Sequence, residues 1–112
     1  KIFAFSTDDK GLEVFQASKQ ARGYRLLEGI DIENGEWIFW DEFGINLEAK
    51  FYEPNRKNRF SVLSGKYDLV PFPQGLELIE FLSNVGYVEG RCMFKDIYEI
   101  REHLKGEAQS PF

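Results

Sequence analysis

The sequence predicts an α+β fold: a single domain with a mostly antiparallel sheet of about five strands and two or three helices packed mainly on one face. Three observations predict it. Short apolar or alternating runs, separated by turn residues, fill the stretch from residue 30 to residue 70. Apolar residues at helical spacing recur on either side of that stretch. The 112 residues are one domain's worth of chain. Residues 1–105 are assigned to the domain and 106–112, polar and rich in small residues, to a flexible C-terminal tail.

Taken in order, Ile2 to Ser6 reads as a short strand, and its unbroken apolar run places it centrally, buried on both faces. Ser6, Thr7, Asp8 and Asp9 supply N-cap chemistry, so a helix is expected from about Asp9 to Arg22, with Leu12, Phe15 and Ala21 inward and Gly23 closing it. Tyr24 to Glu28 fits either a continuation of that helix or a strand.

Asn34-Gly35 between Ile30–Glu33 and Glu36–Trp40 predicts a two-residue hairpin. A second turn at Asp41–Gly44 leads into the alternating strand Ile45–Tyr52. Pro54 to Asn58 is a polar turn, and Phe60–Leu63 and Lys66–Val70 are short strands around Ser64-Gly65. Pro71-Phe72-Pro73 stops the sheet. A helix over Gln74–Asn84 turns Leu76, Ile79 and Leu82 inward, and an edge strand falls within Gly86–Met93. The last helix, Lys95–Lys105, is amphipathic through Ile97, Ile100 and Leu104, with Asp96 and Glu99 in its first turn as the helix dipole favours.

Nineteen acids against fourteen bases give a net charge of −5. That balance argues against nucleic acid and against a basic membrane-binding surface. No apolar run approaches the roughly 20 residues of a membrane span, and Ile2–Phe5 is too short for a signal-peptide core. The single cysteine, Cys92, fits a reducing compartment, so a cytoplasmic location is expected. The charge is uneven: between Glu28 and Glu53 stand eight acids and one base, Lys50. A basic turn, Asn55–Arg59, follows and reads as a solvated loop.

The motifs of catalysis are missing: there is no phosphate-cradling glycine loop and no G-x-S-x-G elbow. One histidine and one cysteine exclude the usual zinc sites, and Asp31-x-Glu33-x-Gly35 lacks calcium-loop spacing. No cofactor, metal ligand or catalytic residue is therefore assigned. A Cys92–His103 pair with Arg91 and nearby carboxylates is the enzymatic alternative, in which His103 is a base rather than a helical structural residue.

The informative segment is Trp37-Ile38-Phe39-Trp40. A four-residue turn pairing Trp40 with Ile45 puts Ile38 and Trp40 beside Leu47, Ala49 and Phe51, and Trp37 and Phe39 on the face of Asn46 and Glu48. A three-residue loop with Gly44 in a bulge flips the parity. Either way, large apolar groups project from both faces, so either the chain covers both or an aromatic patch faces a partner. The functional expectation is a non-enzymatic binding module, an immunity-type inhibitor or adaptor that occludes a basic protein. Trp37, Phe39 or Trp40 would anchor it, and Asp31, Glu33, Asp41 and Glu42 would pair with the partner's Lys and Arg. A homodimer seam on the aromatic face is a third reading.

Overall fold

Four consecutive apolar residues, Ile2 to Phe5, suit a strand flanked and covered on every side. The computed structural model describes residues 1–16, 32, 35–54, 56–57, 62–63, 67–89 and 93–109. It places the run as β1 (Ile2–Ser6), with all five residues buried. Around it lie β2 (Gly11–Phe15), β3 (Trp37–Asp41), β4 (Asn46–Phe51), β7 (Tyr67–Pro71) and β8 (Tyr87–Glu89). They form one six-stranded sheet in the order β7-β4-β3-β1-β2-β8. A separate ribbon pairs β5 (Arg56–Lys57) with β6 (Val62–Leu63). Among the described residues the helices are α1 (Leu78–Phe81), continued by a 3₁₀ turn over Leu82–Asn84, and α2 (Ile97–Gln109), besides the helical residue Ile32.

The fold is α+β, but the sheet has six strands and is mixed. Four neighbouring pairs are antiparallel, and β8 lies parallel to β2. A parallel neighbour needs a long return connection. The passage through β3, β4, β7 and α1 supplies it.

The pleat sorts the apolar residues into two layers. Phe3, Phe5, Leu12, Val14 and Trp40 face Leu78, Leu82, Val85, Ile100 and Leu104, so both helices pack on this side. Ile2, Ala4, Phe15, Phe39 and Leu47 form the layer behind, with Ile32, Trp37 and Leu69 against them. Fully burying one such large side chain contributes about 1.5–3 kcal/mol, so the central strands carry much of the stability.

The helix expected over Asp9–Arg22 begins as the sequence suggests and then fails. The Ser6 hydroxyl accepts the Asp9 N–H (3.5 Å), and the Lys10 N–H reaches the Ser6 carbonyl (2.9 Å), which completes one helical turn. Lys10 then takes a left-handed conformation, φ 66°, and Gly11 starts β2. Leu12 and Val14 meet one layer and Phe15 the other, so the period is two. The remainder of that helix, residues 17–22, and Tyr24–Glu28 lie outside the described residues.

Of the expected hairpin arm Ile30–Glu33 only Ile32 is described, and it is helical rather than extended; the neighbours of β3 are β1 and β4. Gly35 has the positive φ expected of an Asn-Gly turn (77°), but its N–H closes on the Ile32 carbonyl (3.0 Å). A left-handed glycine ends a helical turn as readily as it makes a hairpin.

Three smaller differences follow. The helix after Pro73 starts at Leu78 rather than Gln74, because the Leu76 carbonyl accepts the Trp40 indole N–H (2.8 Å) and the Leu78 N–H reaches the Gly44 carbonyl (2.9 Å). The segments around Ser64-Gly65 belong to different sheets, β6 with β5 and β7 with β4, and β5 falls inside the expected polar turn. Helix α2 runs through Gly106 to Gln109 instead of ending at Lys105. It starts at Ile97 rather than Lys95, with Asp96 just before it: the Asp96 carboxylate caps the Glu99 N–H (3.0 Å), and the Glu99 carboxylate accepts the Lys95 N–H (2.6 Å).

Candidate functional site

The acidic hairpin is built on β3 and β4. Residues 36–53 hold five acids, Glu36, Asp41, Glu42, Glu48 and Glu53, and one base, Lys50. Lys50 already lies 3.3 Å from Glu48 on the exposed strand, a contact of little energetic weight. The loop is the three-residue form: Trp40 pairs with Asn46 and Phe39 with Leu47. The Asp41 N–H reaches the Ile45 carbonyl (2.9 Å), the Gly44 N–H returns to the Asp41 carbonyl (3.0 Å), and Gly44 has φ 84°. This is a turn closed by a glycine bulge.

That one-residue choice decides where the aromatic residues go. Trp40 enters the helix-side layer, 1% exposed, with its indole N–H on the Leu76 carbonyl. Phe39 enters the opposite layer, 2% exposed. Neither ring is open to a partner, which corrects the expectation that either could anchor one. Trp37 is half-buried against the same layer as Phe39. Asp31 and Glu33 lie outside the described residues.

Asp41 and Glu42 are both half-buried at the turn. The Asp41 carboxylate accepts the Phe43 N–H (2.9 Å) and the Ile45 N–H (3.0 Å), so it shapes the loop. Glu42 offers its carbonyl to His103 Nε2 (3.0 Å), whose ring sits against Phe94 and Phe3. His103 thereby ties α2 to the hairpin turn. Cys92 and Arg91, its companions in the enzymatic alternative, lie outside the described residues.

The turn also presents a residue that the sequence does not single out. Phe43 is 55% exposed at the tip, and Leu76, on the adjoining segment before α1, is 51% exposed. The bond from the Leu78 N–H to the Gly44 carbonyl holds these two segments side by side. Glu77 stands exposed on the second segment and Glu80 on α1 just after it. A turn aromatic has no periodicity to reveal it; the one signal is its place between Glu42 and Gly44, where no neighbouring strand can cover it.

At the other end of the sheet, the turn between β1 and β2 carries a second polar group. The Asp9 carboxylate accepts the Gly11 N–H (2.9 Å) through one oxygen and the Tyr87 hydroxyl (2.8 Å) through the other. The Gly11 amide and the phenol hold the Asp9 carboxyl below its ordinary value. The same bond, with Glu89 and Glu13 nearby, pushes the Tyr87 phenol up to about 12.

Among the described residues no cluster of three His, Cys, Asp or Glu side chains could hold a metal ion, and no helix is long and apolar enough to cross a membrane. No family model, curated protein or solved structure matches the chain.

Proposed function

We propose that this protein is a small acidic, non-enzymatic binding module that occludes a basic surface on a partner protein, as an immunity-type inhibitor or adaptor does. The observation that carries the proposal is Phe43, a large apolar side chain more than half exposed at the tip of a hairpin with net charge −4 over residues 36–53. Exposed aromatics make effective interface anchors, and a surrounding acidic surface speeds encounter with a basic partner. Glu42, Glu77 and Glu80 take the steering role beside Phe43 and Leu76. Asp41 drops out of it, because its carboxylate is engaged by two backbone amides.

Affinity capture from the native host, followed by binding kinetics on the recovered partner, tests this reading. The double change Glu42→Lys/Glu77→Lys is expected to slow association roughly ten-fold at low salt and to flatten its salt dependence. Phe43→Ala is expected to leave association near normal and to speed dissociation at least about five-fold. An unchanged association rate and salt slope in the charge-reversed protein would refute the electrostatic role.

A further inference from the structure

The edge strand β8 is short, Tyr87 to Glu89, and pairs with β2 over three positions. Within that pairing Glu13 stands opposite Glu89, and like charges facing each other across strands are unfavourable. Tyr87 lies two residues before Glu89, on the same side of the strand and opposite Gly11. Its ring occupies the space that a Cβ on Gly11 would need: the ring carbon Cζ lies 2.5 Å from that position. Glycine at 11 is thus what lets the phenol cross β2 and reach Asp9. One further tie, from the Gly86 N–H to the Lys10 carbonyl (2.7 Å), joins the start of the strand to the same turn.

We propose that β8 is a releasable edge strand, latched to the β1–β2 turn by the Tyr87 hydroxyl on Asp9 against the opposition of the facing Glu13 and Glu89. Strands with few backbone pairs and solvent-exposed ties open locally at far lower cost than a core strand. Here the tie and the opposing charges sit on one side of the sheet. Loss of the hydroxyl contact therefore frees the Gly11–Glu13 backbone edge without disturbing β1 or β3.

Native-state hydrogen exchange tests the latch. In Tyr87→Phe the amides of Gly86–Glu89 are expected to exchange roughly three- to ten-fold faster than in the wild type, while those of Phe3–Phe5 and Phe39–Trp40 keep their rates. Gly11→Ala, which displaces the ring, should reproduce that local change. Glu89→Gln, which removes one of the opposed charges, should slow exchange in the same four residues. The latch is overturned if Tyr87→Phe leaves the β8 amides unchanged, if every strand accelerates together, or if Glu89→Gln has no protective effect.

Discussion

The two hairpin turns of the sheet use the same local device in opposite surroundings. In each, an aspartate carboxylate accepts a backbone N–H two residues ahead, Asp9 from Gly11 and Asp41 from Phe43. In each, the last residue of the turn is left-handed, Lys10 at φ 66° and Gly44 at φ 84°. The β3–β4 turn is then roofed by helices: Gly44 is buried against Leu104 and Leu78, and His103 holds the Glu42 carbonyl. The β1–β2 turn, beside the edge strand β8, has no helix over it among the described residues and is tied instead by the exposed Tyr87 hydroxyl on Asp9, the Gly86 N–H on the Lys10 carbonyl and the Thr7 N–H on the Glu36 carbonyl. Local chemistry makes the turn, and tertiary contact decides which residue can occupy the left-handed position. Where a Cβ would stand 3.1 Å from Leu104 Cδ2, glycine avoids crowding as well as left-handed strain; at the open turn lysine is tolerated.

The largest effect should come from removing the roof. Leu104 is 2% exposed, and Leu104→Ala should lower unfolding stability by about 2–5 kcal/mol, measured by denaturant titration. Gly44→Ala comes next, at about 1–3 kcal/mol, from left-handed strain plus the approach to Leu104. Combining the two separates the causes. If the steric part matters, the double variant is more stable than the sum of the single losses, because alanine at 104 leaves room for the new methyl. Strict additivity would assign the whole cost at 44 to its backbone angle.

The contrast also explains what could be read from the sequence. The central place of β1, the β3–β4 turn, the stop at Pro71 and the inward residues Ile100 and Leu104 follow from apolar runs, turn residues and helical spacing. Strand β2 does not, for two physical reasons. Ser6 to Asp9 offers the same oxygen-to-amide bonds to a helix start and to a turn, and the first helical turn does form before Lys10 ends it. Leu12-Glu13-Val14 does alternate, but Val14 and Phe15 are adjacent and bury opposite faces, so the alternation is too short to mark the period of two. The fate of the aromatic strand was open at the sequence level because one residue of loop length inverts which face Trp40 takes. Phe43 lay beyond any periodic argument, since a turn residue belongs to neither face.

The edge turn should show its own pH signature, smaller than the losses under the roof. The Tyr87 phenol, faced by Asp9, Glu13 and Glu89 with Lys10 at the turn, has its folded value raised to about 12 from 10.0. The folded state therefore holds a proton that the unfolded state has released. Stability from this group is complete below pH 10 and is lost as pH rises from 10 to 12. For Asp9, whose folded value is lowered, the contribution is present above the ordinary carboxylate range and disappears as pH falls through the folded value. Melting curves of wild type and Tyr87→Phe should accordingly converge between pH 10 and 12. Parallel curves across that interval would mean the phenol contributes nothing to folding.

The smallest effect sharpens the comparison most directly. If the backbone of Lys10 is strained as that of Gly44 would be with a side chain, Lys10→Gly removes a left-handed cost of roughly 1–2 kcal/mol and adds back about 0.5–1 kcal/mol of unfolded-chain freedom. The net expectation is a gain of about 0.5 kcal/mol, read as a rise in melting temperature of roughly 2–4 °C. The Lys10 side chain is exposed, and any contribution of its stem beyond the Cβ is to be separated from the strain. Lys10→Ala does that, since alanine keeps the left-handed cost and discards the stem. A glycine variant more stable than both the alanine variant and the wild type would establish that the open turn carries the same strain the roofed turn avoids. A glycine variant less stable than the alanine variant would place the stabilisation of the edge turn in Asp9 and Tyr87 rather than in its backbone angle.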